Sequence, residues 1–257
     1  MGLALSAYAN SRDNNFNLMR FVAASLVLYS HSFPLALGRG APEPLHGLGI
    51  SAGSLAVDVF FVTSGFLVAG SLFKRNNIVA FVWARILRIY PALIVAVLFC
   101  ILVVGLFFTT EAAVDYFSDP KTFKFMKRNV TLFWGVKYEL PGVFENLPFK
   151  GAVNGSLWTL PYEVKMYAYL AVIAAMLVFL QKRLGSLFLS VVFLLIALAG
   201  AASNIFNHFR PFASVHFLHL FSMFFFGVAY YLYRDRIRLS TPVFLVLLAV
   251  MAVAVQN

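Results

Sequence analysis

The chain has 257 residues, of which 61% are hydrophobic and only 12% charged, against about 25% charged in a soluble domain. This excludes an ordinary soluble core and predicts an all-α, polytopic bundle of membrane helices forming a single membrane domain. The net charge of +10 would suggest nucleic acid in a soluble protein, but here Lys and Arg flank apolar runs, so nucleic-acid binding is not expected.

Seven runs are long and apolar enough to be membrane helices, near 17–37, 50–72, 86–108, 157–180, 186–203, 212–233 and 241–256. The first, which Asp13 or Asn14 could cap, carries Arg20 and His31. Eleven residues at about 100° each return to nearly the same helix face, roughly 16 Å further along. Ionisable groups inside a span are costly and mark function by default. Taken singly, Arg20 could snorkel to headgroups, and His31 could be a hydrogen-bonded interface residue.

The second run holds Asp58, a carboxylate that needs a cation or hydroxyl, either as a structural partner on a neighbouring helix or in a direct role. Thr63, Ser64, Gly65 and Gly70 follow as small residues that permit close helix contact. Next come Arg85 and Arg88, whose i,i+3 spacing puts two guanidinium groups on one face at the inner mouth. Simple anchoring explains two basic residues there, but forked donors also suit phosphate oxygens. Pro91 predicts a kink or a separate short helix. Cys100, the sole cysteine, has no partner for an internal disulfide and no metal-ligand spacing around it, so no metal site is expected.

The connection 109–156 has six basic and five acidic residues. Residues 124–134 are predicted to form a short amphipathic helix there. Ordered loops of this length often cover a substrate site, although a solvated connector fits most of its residues equally well. The segment Ser156-Leu-Trp158-Thr-Leu-Pro-Tyr-Glu163 opens the fourth helix. Glu163 and Tyr167 are i,i+4 neighbours, whereas Lys165 lies off that face, so Glu163 is expected to seek a partner on another helix. His216 and His219 read as aromatic, hydrogen-bonded packing.

Orientation follows from Lys74, Arg75, Arg85 and Arg88, then Lys182 and Arg183, then Arg234, Arg236 and Arg238, which share one side by parity. That side is cytoplasmic, with the N-terminus inside and loop 109–156 outside. The last run stops at Gln256-Asn257 without a basic flank, which points to a shortened version of something larger.

Four motifs in order now carry a resemblance. Arg20 and His31 match a basic residue, ten-residue gap, histidine pattern. Residues 57–67, Val-Asp-Val-Phe-Phe-Val-Thr-Ser-Gly-Phe-Leu, match a second-helix signature. Arg85-Ile-Leu-Arg88 matches an Arg-x-x-Arg motif, and 156–163 with Tyr167 matches a Ser-Leu-Trp-Ser-Leu-x-x-Glu segment. Together they resemble the acyltransferase-3 family of membrane acyltransferases over residues 17–170; beyond about 180 the likeness is hydropathic only. The family commonly has about ten membrane helices.

The resemblance implies transfer of an acyl group, expected to be acetyl, from acyl-CoA to a hydroxyl of a cell-surface carbohydrate such as O-antigen or exopolysaccharide, in the bacterial inner membrane. Acyl-CoA would be a co-substrate, with no tightly bound cofactor; the partners would be membrane lipids, acyl-CoA and the carbohydrate acceptor. His31 is then expected to be the catalytic base, with a covalent acyl-histidine as the alternative path. Glu163, the second catalytic candidate, would hold the imidazole tautomer, line the acceptor pocket or pack. Arg20, Arg85 and Arg88 would receive CoA phosphates, with Asp58, Ser64, Trp158 and Tyr167 as substrate-binding or structural support. The rival is a non-enzymatic transporter or flippase of a polar or anionic envelope precursor, using Arg20, His31, Asp58 and Glu163 as a charge relay.

Overall fold

The computed structural model describes residues 3–9, 14–211, 213–246 and 249. Their helices are α1 (Leu5–Ala9), α2 (Phe16–Leu37), α3 (Ala52–Arg75), α4 (Ile78–Phe99), α5 (Leu106–Phe108), α6 (Ala113–Ser118), α7 (Pro120–Thr131), α8 (Leu160–Phe209) and α9 (Val215–Leu232). Among the described residues there is no β-strand, only isolated bridges, so the fold is a helical membrane bundle. Among the described residues six helical stretches are long and apolar enough to cross a membrane: Phe16–Leu37, Ala52–Arg75, Ile78–Phe108, Gly155–Leu177, Leu187–Phe209 and Val215–Leu232. Most of the expected seventh segment, 241–256, lies outside the described residues.

Local chemistry sets the helix ends. Asn14 accepts a bond from the Phe16 amide at 3.2 Å, as a cap should; Asp13 lies outside the described residues. Ser51 and Ser54 form a reciprocal capping box at the start of α3. Asn76 closes α3 in the left-handed conformation (φ 48°), and Asn77 at once caps α4 by accepting from Ala80 N at 2.9 Å. That double turn corrects the expected boundary: α4 begins at Ile78, not near 86, so Arg85 and Arg88 stand within a helix rather than in a connection. Pro91 is accommodated inside α4.

The two expected segments on either side of Lys182 and Arg183 are present as the apolar stretches Gly155–Leu177 and Leu187–Phe209, and the backbone stays helical between them, from Leu160 to Phe209. Gln181-Lys182-Arg183-Leu184 are all strong helix formers and no proline interrupts them.

The chain forms two compact units, Met1–His31 with Pro42–Asn76 and Val172–Asn257, and Ser32–Ala41 with Asn77–Ala171. In the first, α3 and α9 are parallel, because their contacts advance in step. Asp58 meets His219, Gly65 meets Phe224 and Gly227, and Phe73 stacks on Tyr231 at 6.5 Å. A Cβ on Gly65 would strike the Phe224 carbonyl and one on Gly227 the Val62 carbonyl, so this approach of two backbones requires glycine on both sides. Helix α2 runs the other way against α3, with Phe16 against Phe66 at 5.4 Å and Ser30 beside Gly53. The N-terminal residues bond near the far end of α9, Leu5 N to Ile237 O at 2.8 Å and Leu239 N to Leu3 O at 3.0 Å. The C-terminal ends of α3 and α9, with their basic residues, therefore share one end of this unit, and Ser30 and His31 lie toward the other.

In the second unit the expected connector is a folded cap. Phe125, Leu132, Leu140 and Val143 pack with Leu93, Val97 and Ile101 in one buried cluster. Helix α7 is amphipathic, burying Thr122, Phe125 and Asn129. It covers Pro120–Thr131 rather than 124–134 because Asp119 caps the Lys121 amide at 2.7 Å and Pro120 takes the first helical position. A π-helical turn, Cys100–Gly105, follows α4. Within it the Ile101 carbonyl accepts from Tyr116 Oη at 3.0 Å, and Gly105 leaves the room that this hydroxyl occupies. Such turns recur at functional sites.

Candidate active site

In the first unit α2 is continuous through both Arg20 and His31, so the helical premise of their alignment holds. Both side chains are half-buried. Among the described residues, neither has a hydrogen bond or ion pair to another side chain, which leaves both imidazole nitrogens of His31 open to a ligand. The neighbouring Ser30 is buried and donates to Glu43 Oε1 at 2.6 Å; Glu43 Oε2 accepts from the Ala52 amide at 3.3 Å. Glu43 thus ties the end of α2 that carries His31 to the start of α3.

Asp58 Oδ1 and His219 Nε2 meet at 2.6 Å, with side chains 27% and 36% exposed. Asp58 therefore has the inter-helix partner that its burial required. Ser64, half-buried on α3, lies beside the glycine contact of α3 with α9.

In the second unit Arg85 is the eighth residue of α4 and Arg88 the eleventh, about 10 Å and 15 Å from its start at 1.5 Å per residue. The two are not equivalent. Arg88 is exposed, whereas Arg85 is half-buried, its guanidinium 5.8 Å from both the Phe81 and Tyr167 ring centres. Tyr167 donates to Glu163 Oε1, and Arg85 is close enough to Tyr167, Arg88 and Glu163 to interact electrostatically with all three. The sequence expectation of an inter-helix partner for Glu163 is thereby refined: its hydrogen bond is to Tyr167 on its own helix, and Arg85 on α4 is the cation near it. Arg85 Nε is buried without a hydrogen-bond partner, an orphaned donor that a ligand oxygen would satisfy. Trp158 packs edge-on against Tyr162 at 6.1 Å.

The structure thus groups Arg85, Arg88, Glu163 and Tyr167 within one unit, and pairs Asp58 with His219 in the other. Sequence reasoning missed two participants. Glu43 is the only acid between residues 32 and 57, a signal that was readable. His219 had no local sign of its carboxylate, which lies 161 residues away.

A multi-pass helical membrane protein with arginines and an open histidine set in its spans is the class defined by this geometry. The profile of an acyltransferase domain matches residues 13–256, and the chain belongs to the acyltransferase-3 family. It is similar to an O-acetyl transferase of Shigella phage Sf6, 30% identical over 194 residues, covering 75% of this chain and 54% of that protein. It is also similar to Nodulation protein 10 of Rhizobium leguminosarum bv. viciae, 30% identical over 237 residues, covering 90% of this chain and 62% of that one. The chain therefore spans just over half the length of these curated relatives. No solved structure matches it significantly.

Proposed function

We propose that this chain carries a membrane O-acyltransferase activity, moving an acyl group, expected to be acetyl, from acyl-CoA to a hydroxyl of a cell-surface carbohydrate in the bacterial inner membrane. The observation that carries the reading is Arg85, a guanidinium within a membrane span that has an orphaned buried donor and a second arginine three residues on. Intramembrane cations without a salt-bridging carboxylate are costly, and a phosphate-rich donor would neutralise both arginines. Arg20 is a further half-buried cation within a span, on α2. Glu163 acts through Tyr167, holding the aromatic face on which Arg85 rests, and is a positioning residue in this scheme.

His31 supplies the base. A sugar hydroxyl attacks the thioester carbonyl carbon as the imidazole nitrogen takes its proton. The carbonyl oxygen becomes an oxyanion, the C–S bond breaks, and the thiolate of CoA leaves with the proton returned by the imidazolium. An imidazole with both nitrogens open suits that shuttle. Glu43, through Ser30, holds the helix end on which the imidazole stands. The similarity to an O-acetyl transferase of Shigella phage Sf6 supports this reading.

The test separates this from a transporter. Purified protein is incubated with acetyl-CoA labelled in the acetyl group and with envelope glycans. Label in the glycan and free CoA thiol in equal amounts are expected. Unconsumed acetyl-CoA, with glycan precursor moved across a vesicle membrane, would favour the transporter.

A further inference from the structure

The second unit holds a cavity of about 460 Å³ framed by Lys121, Lys124, Lys137, Lys150, Glu139 and Glu145. It is formed by α7 and the segment after it, and includes none of the residues assigned above. Its size falls within the range of about 300–1,000 Å³ usual for small-molecule sites.

The backbone beneath these side chains is built rather than loose. Thr122 Oγ1 donates to Tyr116 O at 2.7 Å, and Phe125 is fully buried, so α7 is locked by one face while Lys121 and Lys124, at i,i+3, share another. Asn129 clamps Lys137 from both sides, donating to its carbonyl and accepting from its amide, each at 2.8 Å. Lys150 precedes Gly151, whose φ of +72° suits glycine and whose amide donates to Phe144 O at 3.1 Å. Val153 N bonds Tyr138 O at 2.8 Å, fixing the chain beside Glu139.

Four ammonium groups and two carboxylates leave this cavity with an excess of two positive charges. Neither Glu139 nor Glu145 is bridged to a lysine in an ion pair among the described residues. The two carboxylates offset only half of the lysine charge, and ammonium groups bind oxyanions by charge-assisted hydrogen bonds. The two unbridged carboxylates can accept bonds from hydroxyl groups. This pairing of oxyanion binders with hydroxyl acceptors matches one ligand chemistry.

We infer that this cavity binds an anionic saccharide, the lysines taking a carboxylate or phosphate and Glu139 and Glu145 taking ring hydroxyls. The inference rests on the acyltransferase reading in one respect, that such a saccharide is the acceptor, and it narrows the acceptor class to charged glycans.

The test titrates the purified full chain in detergent with trigalacturonate, glucose 1-phosphate and maltotriose by calorimetry. At least one anionic probe should bind about tenfold or more tighter than maltotriose, and salt should weaken it. Which probe binds tells a carboxylate source from a phosphate source. The double substitution Lys124→Gln with Lys137→Gln should remove that preference, and Arg at both positions should restore it. Lys121→Gln alone, at an exposed helix position, gives a partial loss and serves if the double variant fails to fold. Equal affinity for all three probes, or Gln variants that bind like the wild type, would overturn the inference. Labelled acetyl transfer is measured in parallel. Transfer without anion preference overturns the cavity assignment alone, whereas anion preference without transfer supports the cavity and counts against the acyltransferase reading.

Discussion

Asp58 on α3 and His219 on α9 meet at 2.6 Å across 161 residues of sequence, and they do so near the start of two parallel helices that glycines hold in backbone contact further along. Asp58 had two sequence readings, inter-helix partner or direct participant. The geometry supplies the partner. The same bond explains why a histidine is present among the aromatic residues of α9.

Breaking that bond should loosen the helix pair. Asp58→Asn or His219→Phe is expected to cost about 1 kcal/mol, the scale of inter-helix polar bonds in membrane proteins, discounted because both side chains are partly exposed. Thermal unfolding in detergent measures it. The double variant should be no less stable than the worse single one, because the two groups act as a unit. Fully additive losses would mean that they do not interact.

A second expectation concerns alkali. Burial pushes the Tyr116 hydroxyl from its ordinary value of 10.0 up to about 12. The folded state resists its ionisation while the unfolded state does not. Its contribution is therefore complete below pH 10 and is lost as pH rises through about 12. Tyr116→Phe should lose about 1 kcal/mol at neutral pH, with the hydrogen bond to Ile101. The gap in melting temperature between wild type and variant should shrink as pH climbs through that window. A constant gap would contradict the burial account.

The donor site can be separated from simple anchoring. Arg85→Lys keeps the charge but loses the planar fork and its stacking on Phe81 and Tyr167, so the KM for acetyl-CoA should rise about tenfold, the equivalent of about 1.4 kcal/mol. Tyr167→Phe keeps the ring and removes the hydroxyl that binds Glu163; a smaller rise is expected, with membrane insertion unchanged. Unaltered KM in both variants would return Arg85 to a topological role.

Much of this was legible in sequence because hydropathy reports helices directly. The first run, 17–37, coincides with α2, and the aligned positions of Arg20 and His31 needed only helical geometry. Boundaries were less legible. Arg85 and Arg88 read as a flank when charge marks the span end, but Asn77 starts the helix earlier. Lys182 and Arg183 do separate two apolar stretches, but the backbone stays helical through them because both are good helix formers. In loop 109–156 only the amphipathic helix is legible, offset by a few residues from α7; the rest of its order comes from long-range bonds such as Thr109 Oγ1 to Pro141 O at 2.8 Å and from the Tyr116 hydroxyl reaching the π-helical turn. Asp58 with His219 was hidden for the same reason. Each half of the bond sits in an apolar context that announces a need but not its partner.

The most direct measurement is acetyl transfer from labelled acetyl-CoA to envelope glycan by wild type and His31→Ala, reconstituted in the same lipid vesicles at equal protein. The account predicts label in the glycan with wild type, and at most about one thousandth of that rate with His31→Ala, within the range of about 10²–10⁴ that a general base contributes. His31→Ala transferring at the wild-type rate would contradict it.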